Sequence, residues 1–348
     1  MATGAPASET GPSMTVLFLT HPRYMDHDTG RGHPERPARL TAVLEGARAA
    51  DLSGALEWVQ PRAATRVELE RVHPADHVSA IEAFCRAGGG RLDPDTTAGP
   101  GSFEAALLAA GAGVEAVERL DRGEADAAFC AVRPPGHHAA PTAARGFCLF
   151  NNVAVVAAAL AARGERVLIV DIDAHHGNGT QDTFYDDPRI TYVSFHEYPL
   201  YPGTGSLRER GSGEGEGRTV NFPLPAGATG DVYRAGVDEV VAPIAEAWRP
   251  TWLIVSAGFD AHRRDPLTGL ALSAGDYADL TASLLATVPA GRRLAFLEGG
   301  YDLQALTDST GACLAALAGA AFRPEGATSG GPGHEIVTAV DELRRGER

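Results

Sequence analysis

Residues 167–179 read VLIVDIDAHHGNG, an apolar run followed at once by carboxylate and imidazole side chains. The run Val167–Asp171 is apolar almost throughout, which is typical of a strand buried on both faces of a parallel sheet. Similar short runs recur along the chain and alternate with helical patterns, so the sequence predicts an α/β fold with helices on both sides of a parallel sheet. The other predicted strands are residues 16–20, 127–132, 190–195, 252–256 and 294–297.

The helical patterns between these runs show no break that would divide the chain. We find no internal repeat and no linker-like stretch, so we expect residues 14–348 to form a single domain after a disordered tail at residues 1–13. The glycine-rich residues 211–217 are predicted to be a loop, because they lack the strand-then-helix context of a nucleotide-binding turn. The predicted helices are residues 37–50, 68–86, 103–120, 153–163, 232–248 and 274–287.

Composition narrows the classes of function. The chain has 348 residues with 45 acidic and 30 basic side chains, all of the latter arginine, and its net charge of −15 argues against a nucleic-acid-binding protein. A negative field does favour a cationic substrate. The four cysteines show no paired or metal-type spacing, which predicts free thiols in a reducing compartment. We find no secretory signal and no membrane-spanning run, and therefore expect a cytoplasmic protein.

The polar residues after the predicted strands are the candidates for chemistry, because ligands of open parallel sheets bind beyond the carboxyl ends of the strands. Asp171, Asp173 and His175 alternate along an extended segment and can converge on one side. Asp260 follows another strand and can supply a third ligand. Two carboxylates and an imidazole with an open fourth position are typical of a catalytic zinc site. Helix capping is the alternative for any one of these acids, but the combined pattern favours a metal.

Two further motifs end predicted strands. His137 and His138 follow a Pro-Pro-Gly turn, where one can act as a general base and the other as an electrostatic or acid partner. Each needs a hydrogen-bond acceptor to set its tautomer, and Asp171 and Asn178 are the candidates. Tyr301 follows a Glu-Gly-Gly turn that can aim its hydroxyl into the site as an oxyanion donor. A structural histidine and a surface aromatic are the alternatives for these residues taken singly.

Together these motifs resemble the zinc-dependent histone deacetylase family, and the resemblance runs in family order from about residue 21 to residue 302. It implies an arginase-like three-layer α/β/α domain around a mostly parallel sheet. It also implies that Asp173, His175 and Asp260 bind zinc, and that the catalytic residues are His137, His138, Tyr301, Asp171 and Asn178. Asparagine at position 178 is the class II pattern, as in bacterial deacetylase-like amidohydrolases.

The resemblance extends to the substrate channel and to a second ion. Asp95 matches a rim carboxylate that holds the substrate backbone, and Tyr201 replaces the usual phenylalanine of the channel wall. The implied substrate-binding residues are Asp95, Gly146, Phe147, Tyr201, Leu267 at the channel mouth and Arg39 near the acetate exit. The implied potassium ligands are Asp171, Asp173, His175, Ser194 and the Phe195 carbonyl.

The activity implied by the resemblance is hydrolysis of an N-acetyl amide to an amine and acetate. Acetyl-lysine peptides, acetylpolyamines and small acetylated metabolites all remain open as substrates, and so do longer acyl groups. Leu267 disfavours polyamines, because some polyamine-selective relatives carry glutamate at that position. Relatives of this kind often form dimers or tetramers, so a homo-oligomer is also open.

Two rival functions remain. A binuclear manganese ureohydrolase shares the fold, but Gly177 stands where those enzymes carry the aspartate that binds the second metal. The other rival is a non-catalytic acyl-lysine or small-molecule binding protein, although every expected catalytic residue is present.

Overall fold

The run at residues 167–171 forms an inner strand of an eight-stranded sheet in the computed structural model, which describes residues 14–346. The predicted disordered tail, residues 1–13, lies outside the described residues. The main strands are β1 (Val16–Leu19), β2 (Leu56–Val59), β5 (Ala127–Cys130), β6 (Val167–Asp171), β7 (Ile190–Glu197), β8 (Thr219–Leu224), β9 (Trp252–Ala257) and β10 (Arg293–Leu297). Between β2 and β5, the short strands β3 (Gly90–Arg91) and β4 (Thr97–Ala98) form an antiparallel pair.

The order of the large sheet is β2-β1-β5-β10-β9-β6-β7-β8, and every described pairing within it is parallel. All six predicted strands are present, and their carboxyl ends therefore meet at one edge of the sheet. The prediction missed β2 and β8, which are the two edge strands. β2 exposes Glu57 and Trp58, and β8 contains Pro223, so neither reads as a continuous buried run.

The helices flank this sheet. α1 packs against α10 and α10 against α9, while α4 and α5 pack together and against inner strands, which gives the predicted three-layer α/β/α arrangement. Within the described residues no helix is both long and apolar enough to cross a membrane. The helices are α1 (Pro37–Ala49), α2 (Arg66–Leu69), α3 (Ala75–Arg86), α4 (Ser102–Asp121), α5 (Asn152–Ala162), α6 (Asn178–Phe184), α7 (Gly230–Gly236), α8 (Ala242–Trp248), α9 (Ala274–Leu285), α10 (Leu303–Leu317) and α11 (His334–Arg345).

Two helix predictions differ from the structure. The single helix expected over residues 68–86 is wrong: α2 starts at a capping box of Thr65 and Glu68, and α3 starts after Pro74. Proline lacks an N–H and disfavours a helical residue before it, so it separates the two helices although the apolar periodicity continues. The helix expected over residues 232–248 does form, with a π-helical turn at Val237–Val241 between α7 and α8.

A buried ion cluster fastens the segment before α1 to the end of β5. Glu35 and Arg133 are both fully buried, and Arg133 Nη2 donates to Glu35 Oε2 at 2.7 Å. Arg133 Nη1 also donates to the Tyr24 carbonyl at 2.8 Å. Burial alone raises the pKa of Glu35, but the Arg133 guanidinium outweighs it and holds this pKa well below the usual range. The ionised carboxylate therefore contributes to the stability of the fold.

We predict that Glu35→Gln lowers the free energy of unfolding at neutral pH by about 3–5 kcal/mol, because it leaves the buried Arg133 charge without its partner. A carboxylate with a depressed pKa stabilises the fold fully above its unfolded pKa of about 4.3. Its contribution is lost as pH falls through the folded pKa. The difference in the free energy of unfolding between wild type and variant should therefore become smaller below about pH 4.3.

Urea unfolding followed by circular dichroism, from about pH 7 down to about pH 3.5, measures this gap. Glu70→Gln is the matched control, since Glu70 is exposed and should unfold as the wild type does. A gap that stays constant over the whole pH range would contradict the assignment to Glu35.

Candidate active site

The ends of three neighbouring strands are tied together by hydrogen bonds from backbone to carboxylate. Beyond β6, Ala174 N donates to Asp260 Oδ1 at 2.7 Å, and Asp260 follows β9. Beyond β10, Gly299 N donates to Asp173 Oδ2, also at 2.7 Å. Each bond crosses from one strand end to another, so the parallel register of the sheet brings Asp173 and Asp260 together.

The predicted zinc ligands form one cluster. The ligating atoms of Asp173, His175 and Asp260 lie within 4.8 Å of one another. His175 Nδ1 lies 3.2 Å from Asp173 Oδ1 and 3.0 Å from Asp260 Oδ2, while both carboxylates are fully buried. Two carboxylate oxygens and one imidazole nitrogen are a donor set that suits Zn²⁺ with a fourth position left for water. The residues present therefore fit a single catalytic zinc ion.

Glycine is required where the backbone passes closest to this cluster. A Cβ at Gly258 would overlap Asp173 Oδ2, and a Cβ at Gly299 would overlap Asp260 Oδ2. Any larger residue would push a carboxylate out of the cluster. The glycines of the Gly-Phe-Asp and Glu-Gly-Gly motifs are thus explained by close packing against the Asp173 and Asp260 carboxylates.

The tandem histidines lie beside the cluster, on the turn that follows β5. His137 Nδ1 is 3.1 Å from Asp171 Oδ2, and His138 Nδ1 is 2.9 Å from Asn178 Oδ1. Asp171 and Asn178 are the two acceptors that the sequence offered as candidates, and the structure shows which histidine each one faces. Burial lowers the pKa of His137, but Asp173 and Asp171 outweigh it and raise this pKa to about 10. Burial and the neighbouring His137 charge hold the pKa of His138 well below its usual value. The pKa values of the two adjacent imidazoles are therefore shifted in opposite directions.

Glu298 fixes the backbone of this turn, a role that the sequence did not reveal. Its Oε2 accepts from Gly136 N at 2.7 Å and from His137 N at 3.1 Å. Burial raises the pKa of Glu298 to about 7, against the opposing effect of the His137 charge. The signal in the sequence was the glutamate that opens the Glu-Gly-Gly-Tyr motif.

Most of the predicted substrate residues line a cavity of about 230 Å³, which His175 of the candidate metal site also lines. Leu267 and Tyr201 are 39% exposed, whereas His138 is only 4% exposed, so the cavity runs from the surface to the histidines. The predicted residues around it are Asp95, His138, Gly146, Phe147, His175, Tyr201, Leu267 and Tyr301, and Leu200 joins them without having been predicted.

Tyr301 is held at this cavity by contacts on several sides. Its N–H donates to Asp265 Oδ2 at 2.7 Å, and its ring packs edge-on to Phe147 at 5.9 Å between centroids. Asp265 Oδ1 also accepts from Leu267 N at 2.9 Å, so one carboxylate bonds the backbone of two residues that line the cavity. Burial, together with the nearby Asp260, raises the pKa of Asp265 to about 7. Sequence reasoning missed Asp265, whose role depends on contacts across the fold.

Arg39 lies behind Tyr301 and is not among the residues that line the cavity. Its Nε donates to the Gly300 carbonyl at 2.6 Å and its Nη2 to the Glu298 carbonyl at 2.5 Å. The guanidinium carbon lies 5.0 Å from the centre of the Tyr301 ring. Arg39 therefore supports the loop that carries the tyrosine.

The predicted potassium ligands lie where β6 and β7 end side by side. Asp171 pairs in register with Ser194, and both residues are buried. Ser194 Oγ lies 2.9 Å from His196 Nδ1, and the Phe195 side chain belongs to the core. The register thus brings together the two chain segments that carry this predicted set.

Comparison with known proteins agrees with this geometry. The family described as histone deacetylase domain matches residues 33–317. A probable deacetylase of Archaeoglobus fulgidus is 40% identical over 88% of this chain and 87% of its own length. A histone deacetylase-like amidohydrolase of Pseudomonas aeruginosa is 39% identical over 78% of this chain and 73% of its own length.

The fold is also similar to a solved structure. The crystal structure of the HDA15 HD domain superposes with a TM-score of 0.87 at 37% identity, covering 95% of this chain and 94% of that one. Fold, sequence and the arrangement of the strand-end motifs lead to the same assignment, and the protein belongs to the histone deacetylase domain family.

Proposed function

We propose that the protein is a zinc-dependent amidohydrolase that removes acetyl groups from N-acetylated amines, with the acetyl-lysine side chain as its preferred substrate class. One observation carries this proposal: a single cavity is lined by His175 of the metal cluster, by His138 and by Tyr301. A metal ligand, a neutral imidazole and a phenol around one narrow space are the parts needed to hydrolyse an amide.

Asp173, His175 and Asp260 would hold one zinc ion. When bound, zinc supplies a Lewis acid for the acetyl carbonyl and lowers the pKa of its water towards ~7. Asp171, Asp173, His175, Ser194 and the Phe195 carbonyl are the proposed potassium site, a proposal supported by the family resemblance and by the β6–β7 register.

His138 is the proposed base and acid. Asn178 Oδ1 can only accept a hydrogen bond, so with this amide orientation His138 Nδ1 carries the proton and Nε2 keeps its lone pair. Nε2 takes a proton from the attacking water and returns it to the nitrogen of the leaving amine as the C–N bond breaks. The hydroxyl of the water stays with the acyl group, so the products are a free amine and acetic acid, which ionises to acetate, and His138 is restored for the next turnover. His137, which is paired with Asp171, keeps its proton and stabilises negative charge.

Tyr301 is the proposed oxyanion donor. Burial raises the pKa of its hydroxyl well above the usual value, so the phenol keeps its proton at neutral pH. A protonated phenol at the cavity wall can donate to the carbonyl oxygen as it gains negative charge.

The proposed substrate class rests on the residues at the mouth of the cavity. The mouth carries the apolar Leu267 and the carboxylate Asp95. Leu267 offers no charge to a second ammonium group, while Asp95 can accept the N–H groups that flank a lysine in a peptide chain. A turnover panel on zinc-loaded protein tests it: acetyl-lysine peptide, acetylputrescine, acetylspermidine and longer acyl-lysine peptides. We expect the acetyl-lysine peptide to be hydrolysed fastest. Binding of these ligands without turnover of any would instead identify a non-catalytic binding protein.

We predict that Tyr301→Phe lowers turnover by roughly 10²–10³-fold while zinc stays bound, because the variant loses one oxyanion donor and no metal ligand. Steady-state kinetics and metal analysis of the same preparation measure both effects. Tyr185→Phe is the control, since Tyr185 lies at the end of α6, away from the cavity. Full activity of Tyr301→Phe would remove the tyrosine from the mechanism.

We also predict one zinc ion per chain in the wild type and a large loss of affinity in Asp260→Asn. The amide keeps an acceptor for Ala174 N but loses the anionic ligand. The loss should exceed the roughly 10–100-fold that removal of an outer hydrogen-bond partner costs.

Competition with a zinc chelator measures this affinity, and Asp238→Asn on the exposed surface is the control. Two zinc or other divalent ions per wild-type chain would revive the binuclear alternative.

A further inference from the structure

Thr96 connects the mouth of the cavity to its wall. The side chain is fully buried, and its Oγ1 donates to Asp95 Oδ1 at 3.1 Å. The same oxygen accepts from Phe147 N at 3.0 Å. A single hydroxyl therefore bonds both the carboxylate at the mouth and the backbone of the wall aromatic, although 51 residues separate Thr96 from Phe147.

The backbone of Phe147 needs such support. Its φ is +67°, in the left-handed region that non-glycine residues seldom adopt, and it persists only where neighbouring contacts enforce it. The ring is enclosed by His33 at 4.7 Å and Tyr301 at 5.9 Å between centroids. The bond from Thr96 fixes the N–H of this residue and so helps to keep the ring against Tyr301.

The backbone of Asp95 is fixed independently. Asp93 Oδ1 accepts from Asp95 N at 3.0 Å and from Thr96 N at 2.5 Å, which closes a tight turn. His33 Nε2 lies 3.0 Å from the Asp95 carbonyl, while His33 Nδ1 accepts from Glu35 N at 3.1 Å. With the backbone held in this way, the bond from Thr96 selects the direction of the Asp95 carboxylate.

We infer that Thr96 is a positioning residue that adapts the mouth to acetyl-lysine within a peptide, in preference to a small acetylated amine. The inference rests on the proposed deacetylase function. A carboxylate held in one direction can accept the N–H groups that flank a lysine in a peptide chain. A small amide such as N-butylacetamide has the same acetylated end but no such groups. Thr96 therefore acts on the KM of peptides, through Asp95.

The test compares Thr96→Val, which removes the hydroxyl at nearly constant volume, with Thr96→Ser, which keeps it. We expect Thr96→Val to raise the KM for an acetyl-lysine peptide about tenfold. The lost bond to Phe147 N should also change kcat and the KM for N-butylacetamide, but by a smaller factor that both substrates share. Thr96→Ser should restore the peptide KM. In an Asp95→Ala background, Thr96→Val should add only that shared factor, because the carboxylate that it orients is gone.

Thr310→Val is the matched control: Thr310 is fully buried, and its hydroxyl has no hydrogen-bond partner among the described residues. It should leave both KM values unchanged. Should Thr96→Val fail to fold, Thr96→Ala, which only removes atoms, has the same expected outcomes.

Three results would overturn the inference. They are an unchanged peptide KM in Thr96→Val, an equal rise for peptide and N-butylacetamide, and a full further rise in the Asp95→Ala background. Failure of the wild type to hydrolyse either substrate would refute the proposed function separately. In that case the affinity for the peptide, measured by calorimetry, replaces KM, and the same variants are compared. Absence of peptide binding to the wild type would then count against the role of Thr96.

Discussion

The site depends on hydrogen bonds that run from the backbone of one strand end to a carboxylate on another. Asp260 accepts from Ala174 N, and Asp173 accepts from Gly299 N, each at 2.7 Å. These bonds can form only because β6, β9 and β10 are parallel neighbours whose carboxyl ends lie at one edge of the sheet. Charge-assisted bonds of this kind are among the stronger ones in proteins, so the two carboxylates of the candidate metal site also fix the relative position of the strand ends. The same hydrogen bonds thus hold together the strand ends and the candidate metal site. Glycine at positions 258 and 299 lets the backbone come close to the two carboxylates.

The segment after β10 also makes hydrogen bonds that hold the groups proposed for proton transfer and oxyanion binding. The Glu298 carboxylate accepts from the backbone of the His137 turn, and the Glu298 carbonyl accepts from Arg39. Arg39 also bonds the Gly300 carbonyl and lies against the Tyr301 ring. The histidines and the tyrosine belong to distant parts of the sequence, yet the same two residues, Glu298 and Arg39, hold their backbones by hydrogen bonds. A shift of this segment would therefore move the proposed base and the proposed oxyanion donor together.

The sequence could predict those features that depend on a local pattern of residues. Inner strands are apolar on both faces, and the polar residues directly after them are conspicuous, so Asp173, His175, Asp260 and Tyr301 could be found without coordinates. The edge strands β2 and β8 lack that pattern, and the break at Pro74 was hidden by a periodicity that continues through it. Glu298, Asp265 and Thr96 were missed for another reason. Their roles consist of hydrogen bonds to residues distant in the chain, and no local pattern records such a partnership.

The arginine-only basic composition has a structural reason at the buried positions. Arg39 bonds two backbone carbonyls and Glu35, and Arg133 bonds Glu35 together with the Tyr24 and His27 carbonyls. A planar guanidinium presents five donors in a fixed fork and can reach such separated acceptors at once, whereas a lysine ammonium offers three donors from one point. At exposed pairs such as Arg23 with Asp26 the two cations would be nearly equivalent, because surface ion pairs contribute little. The geometry therefore favours arginine at positions 39 and 133, whereas the exposed ion pairs make no such demand.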